Sequence, residues 1–269
     1  MKFSVSNIGL TAYEHGEEIQ KLGTMGLSGL EVAPSRVWHD TWKGLSGQDV
    51  ANYRKQIERA GLKVVGLHSL FFDHPDFGLF KSPGIRKQTL EYMAHLSRVC
   101  RDLGGKTLIY GGGRHRGDLP LTKANTEALQ FFSDLIPLIE DHGTCFCFEP
   151  LGPKTTNFIN TARESIYLVE QLKSPCLKVQ LDAKALVENN EANLKTFQFS
   201  KPYLVHFHAN EPGLGVLGDS GAVDHKVLGA MLRDIGYDDY VSIEQRMLNE
   251  LTPLEDIRRS AEVLIESYG

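Results

Sequence analysis

Four residues in the second half of the chain combine metal-ligating chemistry with regular spacing: Glu149, Asp182, His208 and Glu244. Each closes a run of β-formers, namely Thr144-Cys-Phe-Cys-Phe-Glu149, Lys178-Val-Gln-Leu-Asp182, Leu204-Val-His-Phe-His208 and Tyr240-Val-Ser-Ile-Glu244. Side chains in a strand alternate faces, so Cys145, Cys147 and Glu149 share one face and Phe146 and Phe148 take the other. A carboxylate ending an apolar run is costly to bury unless something pairs with it or coordinates it. Three carboxylates converging without a cation would repel one another and drive their pKa values up. Oxygen-rich ligation with one imidazole suits Mn²⁺, Mg²⁺ or Co²⁺ better than a structural zinc, which prefers sulfur and imidazole. The set predicts one bound divalent ion, with Mn²⁺ the first expectation and Mg²⁺, Co²⁺ or Zn²⁺ as alternatives. The competing reading is a salt-bridged rim in which Lys178, Lys184 or Arg246 neutralises the acids.

The elements that must position these residues follow from their separations of 33, 26 and 36 residues. That is about one strand, loop and helix, close to the ~31 residues per unit of a ~250-residue barrel. Upstream, strand patterns fall at Lys2–Ser6, Gly29–Val32, Lys63–His68 and Thr107–Tyr110, with a helical pattern after each. Gly61, Gly104 and Gly143 stand where helices stop. One helix, near Ala192–Phe199, is expected after the sixth strand. Eight strands alternating with eight helices imply a parallel sheet. An open doubly wound sheet would show G-x-G-x-x-G opening the first helix, whereas the first loop reads Asn7-Ile-Gly-Leu-Thr-Ala-Tyr13. The expectation is therefore an α/β chain forming a single (β/α)8 TIM barrel domain over residues 1–269, with its chemistry at the carboxyl ends of the strands.

Bulk properties narrow the function classes. The chain has 269 residues, 41% apolar and 23% charged, which argues against disorder. Met-Lys-Phe-Ser-Val-Ser leads straight into a strand pattern, and no apolar run is long enough for a membrane span. A net charge of −5 without a Lys/Arg cluster leaves no nucleic-acid footprint. Cys100, Cys145, Cys147 and Cys176 form no C-x-x-C and read as small core fillers in a reducing, cytoplasmic setting.

Phe148-Glu-Pro150, Leu181-Asp182, His206-Phe-His-Ala-Asn210, Gly236-Tyr237 and Val241-Ser-Ile-Glu244 together resemble the xylose isomerase-like barrel superfamily. The likeness narrows to its ketose 3-epimerase and sugar-phosphate isomerase/epimerase group. The resemblance implies that Glu149, Asp182, His208 and Glu244 bind one metal, and that Glu149 and Glu244 are the catalytic acid/base pair on opposite faces of a sugar or keto-polyol. It also implies proton transfer through a cis-enediolate, an intermediate shared by epimerisation, aldose–ketose isomerisation and the elimination catalysed by inosose and dehydroshikimate dehydratases. Characterised ketose 3-epimerases carry a glutamate, a histidine and an arginine where this chain has Thr155, Ala185 and Leu214, so a different substrate is expected. Endonuclease IV shares the barrel but needs further histidines, one of them at the position of Ala185.

Four further residues are expected at the substrate. His68 would hydrogen-bond a sugar hydroxyl, and Lys184 would replace the missing histidine as a donor. Arg246 would share the face of Glu244 and take an anionic group if its strand continues, and Arg114, after Gly111–Gly113, would hold a phosphate or carboxylate. Glu31 either faces the site or pairs with a neighbour, and His206 lies one layer deeper. Trp38, Trp42, Phe71, Phe72, Phe77 and Phe80 would wall a sugar pocket or form a face between copies in a homo-oligomer.

Overall fold

The computed structural model describes residues 1–269. Eight parallel strands run β1 Lys2–Ser6, β2 Gly29–Val32, β3 Lys63–Leu67, β4 Thr107–Tyr110, β5 Cys145–Phe148, β6 Leu177–Asp182, β7 Leu204–Ala209 and β8 Tyr240–Ile243. Each pairs with the next, and β8 pairs back onto β1 with Phe3 opposite Val241, which closes the barrel. Closure leaves no unpaired sheet edge. Nine α-helices surround it: α1 Gly16–Leu22, α2 Gly47–Arg59, α3 Pro83–Leu103, α4 Leu121–Ile139, α5 Ala162–Leu172, α6 Ala183–Glu188, α7 Leu194–Ser200, α8 His225–Asp234 and α9 Pro253–Tyr268.

Local chemistry sets the helix ends. Ser46 and Asp49 form a capping box on α2, as do Thr161 and Glu164 on α5. Gly104 ends α3 in the left-handed conformation. The helices lay apolar faces on the outward side chains of the strands, and Leu30, Leu67, Leu108, Phe146, Leu181, Phe207 and Ile243 are buried in one continuous core.

Two of the differences from the sequence expectation bear on the site. The connection after β6 holds two helices, because Asp182 is at once the last strand residue and the N-cap of α6, accepting the Ala185 N–H at 2.8 Å. β8 stops at Ile243, and the Arg246 N–H then donates to the Leu214 carbonyl at 3.0 Å, so the chain has left the strand before Arg246. The lumen is unusually polar for a barrel: Ser4, Ser6, Glu31, Gln180, His206 and Ser242 are all buried.

Candidate active site

β5, β6, β7 and β8 deliver Glu149, Asp182, His208 and Glu244 to one point, where one ligand atom from each lies within 4.8 Å of the others. All four line a cavity of about 460 Å³ at the carboxyl ends of the strands. None of Lys178, Lys184 and Arg246 forms an ion pair with them, so the rim is not a salt-bridged one. The basic side chains that face the acids are imidazoles: His208 Nδ1 lies 3.3 Å from Glu149 and 3.6 Å from Glu244, and His68 Nδ1 lies 3.6 Å from Glu244.

The donor set fits a divalent ion. His208 Nδ1 is buried and aligned for a hydrogen bond with no neighbour. Burial, with the charges of Glu149 and Glu244 behind it, pushes the Asp182 carboxyl up to about 7. Burial lowers the basicity of His208, but the carboxylates of Glu31, Glu244 and Glu149 outweigh it and hold the imidazole well above its ordinary range. The acids thus draw protons onto their neighbours, and a cation at their centre would displace those protons.

Each of the four is held in place from behind. His208 Nε2–H donates to Glu31 at 2.9 Å, and the Ser242 hydroxyl donates to the same oxygen at 2.9 Å. The other oxygen of Glu31 faces His206 Nε2 at 3.1 Å, so His206 lies in the layer below the site. Burial would raise the Glu31 carboxyl, but His208, His206 and His68 hold it well below the usual range. Gln180 donates to Glu149 at 2.7 Å, and Asn210 Nδ2 bridges Asp182 at 2.6 Å and Glu244 at 2.8 Å. Burial also works against the Glu244 charge, yet His208, His68 and Asn210 leave its pKa below the ordinary value.

Gln180 and Asn210, which hold these acids, were assigned no role from the sequence. Gln180 lies two positions before Asp182 on β6 and so shares its face, and Asn210 lies two after His208, just past the end of β7. Gly111 belongs with them, since a Cβ built there would collide with the carboxylate of Glu149.

The expected substrate contacts divide. Lys184 lines the cavity from the first turn of α6 and forms no ion pair. Thr155 and Leu214 also line it, whereas Ala185 lies buried behind Asp182. His68 lines the cavity with both nitrogens turned to the protein: the Ser6 hydroxyl lies against Nε2 and Glu244 opposite Nδ1. Arg246 points into a neighbouring cavity instead.

Arg114 does not have the role expected of it. Its guanidinium is buried, and its donors are spent on the carbonyls of Phe158 (2.9 Å), Tyr110 (2.7 Å), Ile159 (3.2 Å), Gly111 and Glu149. A guanidinium has five N–H groups, so none remains for an anion. Burial lowers its pKa to about 10. Of the loop aromatics, Phe71, Phe72 and Phe77 wall the cavity, while Trp42 packs on Phe77 and Tyr92, Trp38 on Tyr53 and Phe80 on Phe158.

The family model for the xylose isomerase-like TIM barrel matches residues 19–267. The chain belongs to that family. A Mus musculus protein provisionally named a hydroxypyruvate isomerase is 25% identical over 244 residues, 86% of this barrel and 83% of its own length. A D-psicose 3-epimerase of Ruminiclostridium cellulolyticum is 30% identical over 111 residues, 41% of this chain and 38% of that one. Among solved structures, a D-psicose 3-epimerase from Clostridium cellulolyticum H10, crystallised with D-tagatose, superposes with a TM-score of 0.84 at 18% identity, covering 100% of this chain and 99% of that one. At that identity the likeness is one of fold. No helix of this xylose isomerase-like barrel is long and apolar enough to cross a membrane.

Proposed function

We propose that the chain is a divalent-metal-dependent isomerase or epimerase of a small sugar or keto-polyol, with Glu149 and Glu244 as its acid/base pair. The observation that carries this reading is their arrangement: two carboxylates on strands separated by β6 and β7 converge on the buried Nδ1 of His208, with Asp182 beside them, in an open cavity. The names of the curated relatives, a hydroxypyruvate isomerase and a D-psicose 3-epimerase, agree with it.

Glu149, Asp182, His208 and Glu244 would hold the ion, which would supply Lewis-acid polarisation of a substrate carbonyl and so acidify the adjacent C–H. One glutamate removes that proton and the other returns one, to the opposite face for epimerisation or to the neighbouring carbon for isomerisation. Gln180 fixes the carboxylate plane of Glu149, and Asn210 and His68 fix that of Glu244, so neither base must reorganise when the proton moves. Lys184 is placed to donate to a substrate oxygen, and Phe71 and Phe77 cover the apolar side of the cavity.

The test is deuterium washing from heavy water into ketoses at carbon, with Mn²⁺ present. Wild type should exchange, and Glu149→Gln and Glu244→Gln should each lose about 10²-fold or more. Exchange at the wild-type rate in both variants refutes the assignment.

A further inference from the structure

Beside the reacting cavity lies a second one of about 890 Å³, and the two share the wall residues Ser69, Phe72 and Leu214. The second is lined by Arg36 and Arg246, and Glu250 is the only carboxylate on its wall. Neither guanidinium takes part in an ion pair, with Glu250 or with any other acid. Arg36 donates to the Leu10 carbonyl through one Nη, while its Nε is buried and has no hydrogen-bond partner. A buried donor without a partner is unfavourable, and an anionic acceptor would relieve it.

The shared wall is unusual in its own right. Phe72 faces both cavities and is 78% exposed, a large apolar surface left to water. Ser69 and Leu214, which share this wall, both hold left-handed backbone, with φ of 52° and 54°. Such conformations are unfavourable for non-glycine residues and concentrate at ligand-contacting positions. The backbone of the arginine segment is tied down: Arg246 N–H donates to Leu214 at 3.0 Å and Met247 N–H to Ile8 at 3.1 Å. The second cavity thus adjoins the first along this wall and carries two guanidiniums that no acid pairs.

We propose that Arg36 and Arg246 form an anion subsite for the distal end of the substrate, which is a keto-polyol bearing a phosphate or carboxylate beyond its reacting carbons. The nature of the reacting part rests on the isomerase or epimerase reading above; the charge at the far end rests on the two arginines. Phe72 would lie against the link between the two parts and lose its exposure to water when the site fills.

Calorimetric titration with D-fructose, D-fructose 6-phosphate and D-fructuronate decides the matter, in wild type, Arg246→Ala and Arg36→Lys, with melting curves to confirm folding. At least one charged ketose should bind wild type about tenfold or more tighter than D-fructose, as charge-assisted pairing to a guanidinium allows. That preference should collapse toward one in Arg246→Ala and weaken in Arg36→Lys, where the planar fork is lost. A preference confined to the 6-phosphate identifies a sugar phosphate, and one confined to fructuronate a sugar acid. No preference in wild type, or one that survives Arg246→Ala, overturns the proposal. Arg246 is exposed and its substitution threatens no core packing, so this arm holds even if Arg36→Lys misfolds. Deuterium exchange run in parallel separates the two readings: no exchange into any ketose refutes the isomerase or epimerase, while the binding ratio alone judges the subsite.

Discussion

Glu31, near the end of β2, accepts the Nε2–H of His208 at 2.9 Å from across the barrel lumen. The contact fixes the imidazole tautomer, because a proton held on Nε2 leaves the Nδ1 lone pair facing Glu149 and Glu244. Glu31→Gln keeps the shape but weakens the acceptor, and an amide can present its NH₂ to the ring instead. The variant should fold and lose about 10–100-fold in Mn²⁺ affinity, the usual cost of removing an outer partner of a metal-ligating histidine. Competition titration against a chelating dye measures it. Wild-type affinity would show that Glu31 serves the lumen and not the site.

Metal loading should be visible without any substrate. Mn²⁺-treated protein should retain close to one ion per chain, and the double variant Asp182→Asn/His208→Ala none. An ion present at 100 times its dissociation constant adds about 2.7 kcal/mol to stability. At roughly 2–4 °C per kcal/mol for a chain of this size, chelation should lower the melting temperature by several degrees. A melting temperature indifferent to both chelator and Mn²⁺ would remove the ion from the account.

Arg114 should prove a structural residue. Replacing it with methionine takes a donor from each of five carbonyls that join the loop after β4 to the loop after β5, and Tyr110, Phe158 and Ile159 keep only a longer bond each. The loss should be on the order of 3–5 kcal/mol in urea unfolding, since several buried acceptors lose their donor together. Arg114→Lys should recover little of it, having three donors on a single nitrogen in place of a planar fork. A variant that is fully stable but binds anions poorly would restore the original assignment.

Three buried histidines should cost stability on mild acidification, against Asp182 and His208, whose raised pKa values act the other way. Burial lowers the pKa of His15, His95 and His225 from the ordinary 6.5. A histidine whose folded pKa lies below its unfolded one is protonated first in the unfolded chain, so folding is favoured above about 6.5 and loses ground as the pH drops below it. The hydrogen bonds explain the sign at two of these sites. His225 Nε2–H donates to Glu211 at 3.0 Å and Nδ1 accepts from the Tyr268 hydroxyl at 2.8 Å, while His15 Nδ1–H donates to Thr11 at 2.7 Å and Nε2 accepts from Tyr53 at 2.7 Å. Protonation destroys one acceptor in each. Between pH 7.5 and 5.5 the urea midpoint of His15→Gln and of His225→Gln should fall less, or rise more, than that of wild type. Wild-type pH dependence in both variants would contradict the burial argument.

The barrel was legible because strand-end polar residues recurred at the repeat of one strand plus one helix, and β1, β2 and β4 have the bounds their alternation suggested. The convergence of Glu149, Asp182, His208 and Glu244 was legible for the same reason, since each ends a buried strand at that repeat. The extra helix α6 was hidden because Asp182 plays two parts, and sequence patterns assign a residue to one element only. Arg246 was placed on the face of Glu244 on condition that β8 continued; the strand stops at Ile243 and the segment docks on Leu214. Arg114 was misread because a guanidinium in a glycine-rich loop looks identical whether it awaits an anion or gathers carbonyls. Only the burial of its surroundings separates the two, and burial at a loop is a product of the whole fold.

Gly111 has no functional group, yet the position of Glu149 depends on it. A saturation screen scored on turnover would rank this glycine beside the acids themselves, and a reader of that screen alone would search in vain for its chemistry. Thr155 and Leu214, whose side chains merely border the cavity, should tolerate exchange and shift preference among sugars. Diversification of this barrel toward new substrates is therefore free at its rim and closed at a residue whose contribution is the room it leaves.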